Sequence, residues 1–543
     1  MNRVTVGSVG TGRADGLYRR MISPQSTPAT ESMMPDRVTA ATWIGFAAMC
    51  LGMFMAILDI QVVATSLPDI RAALNIETAQ MSWIQTAYLI AEIIAIPLTG
   101  FLTRLLSLRG MFAAALGGFI VASVGCAASA SLPELIAWRV MQGFCGGALI
   151  PAVFSAVFLL FPERRQVVAT TLAGALAVLA PTIGPVVGGW ITDTYSWHWL
   201  FLINVAPGAF AVAVILRLLP CDRADLQQAR ALEWVALALM ATALAGLEIL
   251  LKEAPQRGWL SGFSIGLAVV CLASGTGFIW RVLRSTRPLV ALTALGDREF
   301  ALGCWLSFML GVGLFGSVYL MPVFLGLVRL HSALEIGEVM LVTGLAQLLT
   351  APVAVQLERR FDARSLSAFG FALFGIGLGL SYFQTFETDF AQMFWPQIIR
   401  GVAIMFCLLP PTRLALGHLA PDDIPNASGL FNLMRNLGGA IGIALIDTIL
   451  WVRAPEHVDA IVTRLLAGDA ATAAFVGLPT DKFKGVPLGP VDADTQELAR
   501  PLVERAGLVS AINEAWAMMA LAMALALLAL FISHLRDRRG RVA

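Results

Sequence analysis

Fourteen apolar stretches, each about as long as a bilayer is thick, run through this chain and leave little sequence for anything else. A helix needs roughly 20 apolar residues to cross a hydrocarbon core about 30 Å thick. The stretches fall near 41–66, 82–103, 111–130, 135–160, 166–192, 198–219, 232–251, 260–283, 299–323, 336–357, 365–385, 391–412, 427–450 and 508–533. In lipid each backbone N–H and C=O must be satisfied within the spanning segment, so stretches of this length are expected to be helices. Composition agrees, with 58% apolar and 13% charged residues against about 45–50% and 25% in soluble chains. So little charge cannot coat a soluble surface of 543 residues. The expected fold class is an all-α polytopic membrane protein, and the soluble enzyme classes are excluded.

Lys and Arg orient the spans. With both termini cytoplasmic, the inner segments hold 24 of the 37 basic residues, and the short outer loops hold only Arg71, Lys252, Arg257 and Arg329. A net charge of +1 offers no attraction to nucleic acid. The seven cysteines are scattered without a CxxC pair and the five histidines are isolated, so no metal site is expected. No Ser/His/Asp set or HExxH stands at a membrane face, so no enzyme and no cofactor is expected either. Residues 1–40 read as a polar, disordered cytoplasmic tail without a signal peptide, and 534–543 as a second cytoplasmic tail. Met33-Met34, just ahead of the first span, offer an alternative start.

Pro97-x4-Leu102-x-Arg104-x4-Arg109 recurs as Pro352-x4-Leu357-x-Arg359-x4-Arg364, 255 residues on. Gln142-Gly143 has a counterpart in Arg400-Gly401, and Leu67-Pro68 in Met321-Pro322, at nearly the same offset. The spacing maps spans 1–6 onto spans 9–14. It divides the chain into a six-helix bundle at 41–220, an inserted helix pair at 231–284 and a second bundle at 299–533 that includes an outer loop at 453–507. Two parallel bundles around a central cavity are the architecture of alternating-access transporters. A repeated bundle without transport, such as a structural membrane subunit or receptor, is the rival reading.

A charge inside a span is expensive and therefore faces protein or water, by default with a function. Asp59 in span 1 and Arg139 in span 4 lie at comparable depth and suit a proton-responsive pair. Glu92 in span 2 lies near the midplane with no basic residue on its helix face, which suits a carboxylate that binds and releases a proton. Arg400 and Arg435 supply fixed positive charge in the second half, to attract an anionic substrate or to pair with Glu92 or another partner. Glu248 and Asp447, near the outer ends of their spans, read as snorkelling or loop contacts. In span 5, Gly184-Pro185-Val-Val-Gly188-Gly189 breaks a backbone hydrogen bond and suits a bending or sealing point. Asn432, Arg435, Gly438, Gly439 and Gly442 make a similar small-residue face in span 13.

These residues resemble the major facilitator superfamily and, within it, the fourteen-span drug:proton antiporters of the EmrB/QacA type, closest to the EmrB branch. Leu58-Asp59 with Leu67-Pro68 resembles the first-span motif, and Arg139-x2-Gln142-Gly143 the fourth-span motif, whose arginine is implicated in proton transfer. Gly184-Pro185-x2-Gly188-Gly189 matches the antiporter motif, and Trp197-His-Trp199-x2-Leu-Ile203-Asn204 continues that pattern. Gly100 and Leu102 fit the loop after span 2, but Arg104 stands where the general pattern is acidic; the EmrB branch tends to be basic there. Arg104 and Arg109 are then expected to bind helix C-termini or anionic lipid headgroups. The outer segment 453–507 resembles the EmrB branch, with two amphipathic pieces near 456–467 and 492–506 around a Gly/Pro-rich middle. The resemblance implies a periplasmic membrane-fusion adaptor and an outer-membrane channel as partners, with the loop as a docking surface; a mobile cap with no partner is the alternative reading.

The expectation is a multi-pass bacterial inner-membrane antiporter, driven by the proton gradient, that exports small hydrophobic toxic compounds. A dedicated exporter of one endogenous metabolite, siderophore or lipid is the alternative within transport.

Overall fold

The computed structural model describes residues 39–76, 83–220, 233–285, 290, 292–483 and 493–542, which are helical apart from short connections. The expected tail 1–40 lies, up to residue 38, outside the described residues, as does the middle of the outer loop at 484–492. Thirteen helices are long and apolar enough to cross a membrane, or fourteen when the bent pair Glu163–Pro181 and Ile183–Thr194 counts as one span.

The first half contains α1 (Ala40–Thr65), the short α2 (Leu67–Leu74), α3 (Trp83–Leu106), α4 (Leu108–Ala128), α5 (Leu132–Leu160) and α6 (Glu163–Thr194). It closes with α7 (Trp199–Leu202) and α8 (Val205–Leu218). Next come α9 (Trp234–Arg257) and α10 (Gly262–Arg284). The second half comprises α11 (Arg298–Leu327), α12 (Ala333–Glu358), α13 (Ala363–Leu380), α14 (Phe390–Leu416), α15 (Ile424–Leu466), the short α16 (Ala470–Val476) and α17 (Ala493–Val542).

Polar residues in the connections start these helices by accepting otherwise orphaned N–H groups. Thr39 caps α1, Ser261 caps α10, Asp297 caps α11 and Asp362 caps α13. Ser332 with Glu335, and Asp389 with Gln392, form capping boxes at α12 and α14.

Within the halves, small residues let backbones approach. A Cβ on Gly143 of α5 would lie 2.2 Å from the Tyr88 carbonyl oxygen of α3, and one on Gly401 of α14 2.4 Å from that of Thr343 on α12. The two glycines and their two contacts thus recur at the offset of the sequence repeat. Between the halves, α6 packs on α12 and α3 on α15. The inserted helices pack on each other, and α9 also lies against α3 and α15. On α10, Leu272 and Trp280 are exposed, as a lipid-facing helix requires.

Two features gain structural detail. The amphipathic pieces of the outer loop are not separate elements: the first is the end of α15, which runs unbroken to Leu466, and the second opens α17. Their apolar faces pack with α16 through Ile461, Leu465, Val476, Val503 and Ala506, so the helices continue where the hydropathy ends. The bend in α6, of 46°, lies between Pro181 and Ile183, directly before Gly184 and more than a turn before Gly188 and Gly189. Pro185 cannot bond the carbonyl four residues back and its ring pushes that carbonyl away. The carbonyl belongs to Pro181, so the disruption from Pro185 is felt there.

Candidate functional site

Asp59 of α1 and Arg139 of α5 meet as a pair sealed from solvent, with 2.5 Å between Asp59 Oδ2 and Arg139 Nη1. Arg139 also donates through Nη1 to Gln142 Oε1 (2.7 Å) and through Nε to the Ile84 carbonyl (3.2 Å), and lies 4.3 Å above the Tyr88 ring. Asp59 Oδ1 accepts from Gln142 Nε2 (3.0 Å) and from Asn204 Nδ2 (2.9 Å). Gln142 Nε2 donates further to Ser123 Oγ (2.9 Å). Nearly every polar atom is used, the exception being Arg139 Nη2. Four helices and the start of α8 therefore converge on one carboxylate. Asn204 and Tyr88 were not singled out from the sequence as site residues. For Asn204 the available signal was its place at the end of the Trp197-to-Asn204 pattern, a polar amide within an apolar run.

Glu92 is placed differently. It stands on α3, buried to 5% exposure and without a hydrogen bond or ion pair to any described residue. Gly147 makes room for it: a Cβ there would lie 2.5 Å from the Glu92 carbonyl oxygen. Its side chain lines a central cavity with ≈ 1270 Å³ of space free of protein atoms, solvent at the mouth included. The wall is mostly apolar, with Ile57, Leu89, Ile150, Leu310 and Phe315 among it, and draws on both halves. Asn432 and Arg435 of α15 line the same cavity. The Asn432 amide donates back to the Ser428 carbonyl (2.9 Å), while Arg435 lies 5.4 Å from the rings of both Phe154 and Phe431 and keeps Nε and Nη2 unpartnered.

Two sequence readings are corrected here. Glu248 does not snorkel: it lines the cavity with Glu92. The helix α9 runs to Arg257, six residues beyond the hydropathy boundary, so Glu248 lies about 13 Å from its end at 1.5 Å per residue. Asp447 is likewise inside its helix, accepting the Tyr319 hydroxyl proton at 2.5 Å. Arg400 lies apart from the cavity, within the second half, 4.8 Å from the Trp516 ring. It forms no ion pair with Glu92 among the described residues.

The cavity is closed toward the face where α1 begins. A Cβ on Gly100 of α3 would lie 2.1 Å from Asn426 Oδ1 of α15, and Ser428 Oγ donates to the Pro151 carbonyl across the halves (2.8 Å). Arg104 is within electrostatic reach of Asp423, the residue at the start of α15. Arg109 donates to the carbonyls of Leu216 and Leu219 (3.4 and 3.3 Å) at the C-terminal end of α8. Gly184 approaches α1 closely, 2.4 Å from ideal Cβ to the Gln61 Cβ, with Pro185 buried beside it. The buried Gly188 offers its carbonyl to Thr192 Oγ1, which bonds Ser66 in turn, and Gly189 is half-buried.

A larger recess, ≈ 2510 Å³ on the same measure, opens at the face where α1 begins and is lined by Arg164, Arg165, Arg359, Arg360, Arg413 and His534. Its lining is polar and solvated. Of the two, the cavity with Glu92 is the one whose wall suits an apolar compound. No cluster of three metal-ligating side chains occurs among the described residues.

Residues 49–443 match the model of the Major Facilitator Superfamily. The chain is 41% identical over 414 residues to the colistin resistance protein EmrB of Acinetobacter baumannii, covering 76% of this chain and 81% of that one. It is 31% identical over 414 residues to the multidrug export protein EmrB of Escherichia coli K12, covering 76% and 80%. Among solved structures, the human organic anion transporter MFSD10 superposes with a TM-score of 0.59 at 14% identity, over 90% of this chain and 99% of that one. With its sealed Asp59–Arg139 pair and a cavity between two packed halves, this chain is a multi-pass membrane protein that belongs to the Major Facilitator Superfamily and, within it, to the EmrB-type drug:proton antiporter family.

Proposed function

We propose that this chain exports small hydrophobic toxic compounds of more than one kind across the bacterial inner membrane in exchange for protons. The observation that carries this reading is Glu92, buried and unpartnered on the wall of an apolar cavity shared by both halves. The names of the relatives, multidrug export and colistin resistance, support the direction and breadth of transport.

The recess rich in Arg is the cytoplasmic face, by the excess of Lys and Arg on inner loops. Trp43 at the start of α1 packs at a tilt on Phe161, 4.5 Å between ring centres, next to that recess, and His534 near the end of α17 lines it. Both termini are then cytoplasmic, and the cavity is closed inward. In this state Glu92 takes a proton from the outer side as substrate leaves. Loss of its negative charge removes the penalty for passing it through an apolar interior. The halves then part at the Gly100–Asn426 contact, and the proton leaves to the cytoplasm as new substrate enters. Asp59 and Arg139 act from inside the first half: a proton reaching Asp59 breaks its pairing and repositions α1 against α5 and α8. Gly184, Pro185, Gly188 and Gly189 provide the close approach and bend that α6 needs to rock. Each elementary charge moving down 100 mV supplies about 2.3 kcal/mol, so the gradient is the only energy source required. The helices that continue past the span ends in α15 and α17 offer the surface for a periplasmic adaptor leading to an outer-membrane channel.

The test is proton movement in inside-out vesicles with an acidic interior, on adding a varied panel of hydrophobic toxins. Proton release by several unrelated compounds, absent from the Asp59→Asn/Glu92→Gln double variant, is expected. Release by one compound alone overturns the multidrug reading, and silence from folded protein overturns antiport.

A further inference from the structure

The helices α9 and α10 interrupt the repeat, and a pair added between two complete bundles has no required place in a cavity built by those bundles. Yet α9 is held at three levels against the seam where the halves meet. Toward the cytoplasmic end, Met240 packs with Leu98 and Phe101 of α3, with Leu237 and Leu244 beside it. Toward the other end, Lys252 Nζ donates to Thr86 Oγ1 of α3 (2.7 Å) and lies 4.8 Å from the Trp83 ring. Just past the helix, Trp259 Nε1 donates to Thr448 Oγ1 of α15 (2.9 Å). Between these anchors Glu248 lines the cavity, within electrostatic reach of Glu92.

Two carboxyl groups thus share one largely apolar cavity, and neither has an ion pair or hydrogen bond among the described residues. Lys252, one turn beyond Glu248, lies within electrostatic reach of it, but its ammonium donates to Thr86 and lies beside Trp83. Arg139 is committed to Asp59, and Arg435 lies over Phe154 and Phe431 without an ion pair to either acid. Glu92, more than nine-tenths buried, is an acidic group on this wall without a hydrogen-bonding partner among the described residues. Two like charges in low dielectric repel, and a cation between them relieves both desolvation and repulsion. Phe315 and the aliphatic wall suit the apolar body that carries such a charge.

We propose that α9 is part of the substrate site, and that Glu248 and Glu92 together hold the positive charge of a lipophilic cation in the central cavity. This rests on reading the cavity as the transport site. Glu248 makes the inserted pair a determinant of specificity and not a spacer.

Equilibrium binding to the purified full chain in lipid nanodiscs tests this without depending on transport. The probes are tetraphenylphosphonium and tetraphenylborate, which share shape and differ in the sign of charge. Glu248→Gln and Glu92→Gln are each expected to weaken tetraphenylphosphonium binding about tenfold, and to leave tetraphenylborate unchanged or tighter. Glu253→Gln, which neutralises an acid paired to Arg257 on the same helix, is expected to change neither. Wild-type tetraphenylphosphonium affinity in Glu248→Gln overturns the proposal. So does an equal loss for both ions, which marks a structural role, and so does failure of the wild type to bind the cation. Charge-selective binding in protein that moves no protons in the vesicle assay sustains this inference while overturning antiport.

Discussion

Replacing Gly100 with Ala is expected to shift the balance between the two states of the transporter more than it weakens the fold. The new Cβ would lie 2.1 Å from Asn426 Oδ1 and 2.8 Å from both the Cα and N of Asn426. The side-chain oxygen can turn away but the backbone atoms cannot. Carbon contacts settle near 3.5–4.0 Å, so α3 and α15 must separate there by roughly 1 Å. Overpacking of this kind costs about 1–3 kcal/mol. Because Gly100 and Asn426 belong to different halves, that cost falls on the inward-closed state and is relieved when the halves part. A bias of about 1–3 kcal/mol changes the open-to-closed ratio about 5- to 150-fold. Ser428, fully buried at the same seam, reports the opening when replaced by Cys in a background lacking the seven native cysteines. Its labelling by a thiol reagent is expected to accelerate by that factor in Gly100→Ala. Gly143→Ala is the control, since its Cβ would meet the Tyr88 backbone within one half. It should lower the melting temperature and leave labelling unchanged. An unaltered labelling rate in Gly100→Ala, or an equal acceleration in Gly143→Ala, would refute the assignment of Gly100 to a state-specific contact.

The buried pair should behave as one unit. Arg139→Gln or Asp59→Asn alone strands a sealed partner and is expected to cost about 3–5 kcal/mol of stability, and the double variant less than the sum. Thermal unfolding in detergent measures this, and strict additivity would contradict the pairing. Outside the spans, Asp389 caps α14 through the Phe390 N–H (2.8 Å) and binds Arg329 Nη2 (2.6 Å). Partial burial pushes its carboxyl upward, but the Arg329 and Phe390 hydrogen bonds outweigh this and hold it below the usual carboxylate value. A depressed value means stability present above about pH 4 and lost as pH falls through the lower folded value. Asp389→Ala is therefore expected to cost about 1 kcal/mol at neutral pH, with the gap to wild type closing in acid. A gap constant with pH would show that the charge plays no part.

The spans, the kind of residue at each helix start and the repeat were legible in the sequence because each depends on neighbours along the chain. Apolar runs of bilayer length must become helices wherever they lie, and Ser332-x2-Glu335 caps a helix with its own next turn. The charges worth attention, Asp59, Glu92 and Arg139, were legible for the same reason: in an apolar run each is anomalous on its own. Which of them is sealed and which faces a cavity was not. That depends on how each helix is rotated against others far away in sequence, such as Asn204 reaching Asp59 across 145 residues. Glu248 shows the limit most clearly. Hydropathy ended its helix at 251, whereas packing on α3 and α15 carries α9 to Arg257 and turns the acid inward. Local chemistry determines what each segment becomes, and only the assembled helices decide which surfaces meet, because contact energies belong to pairs that the chain order does not name.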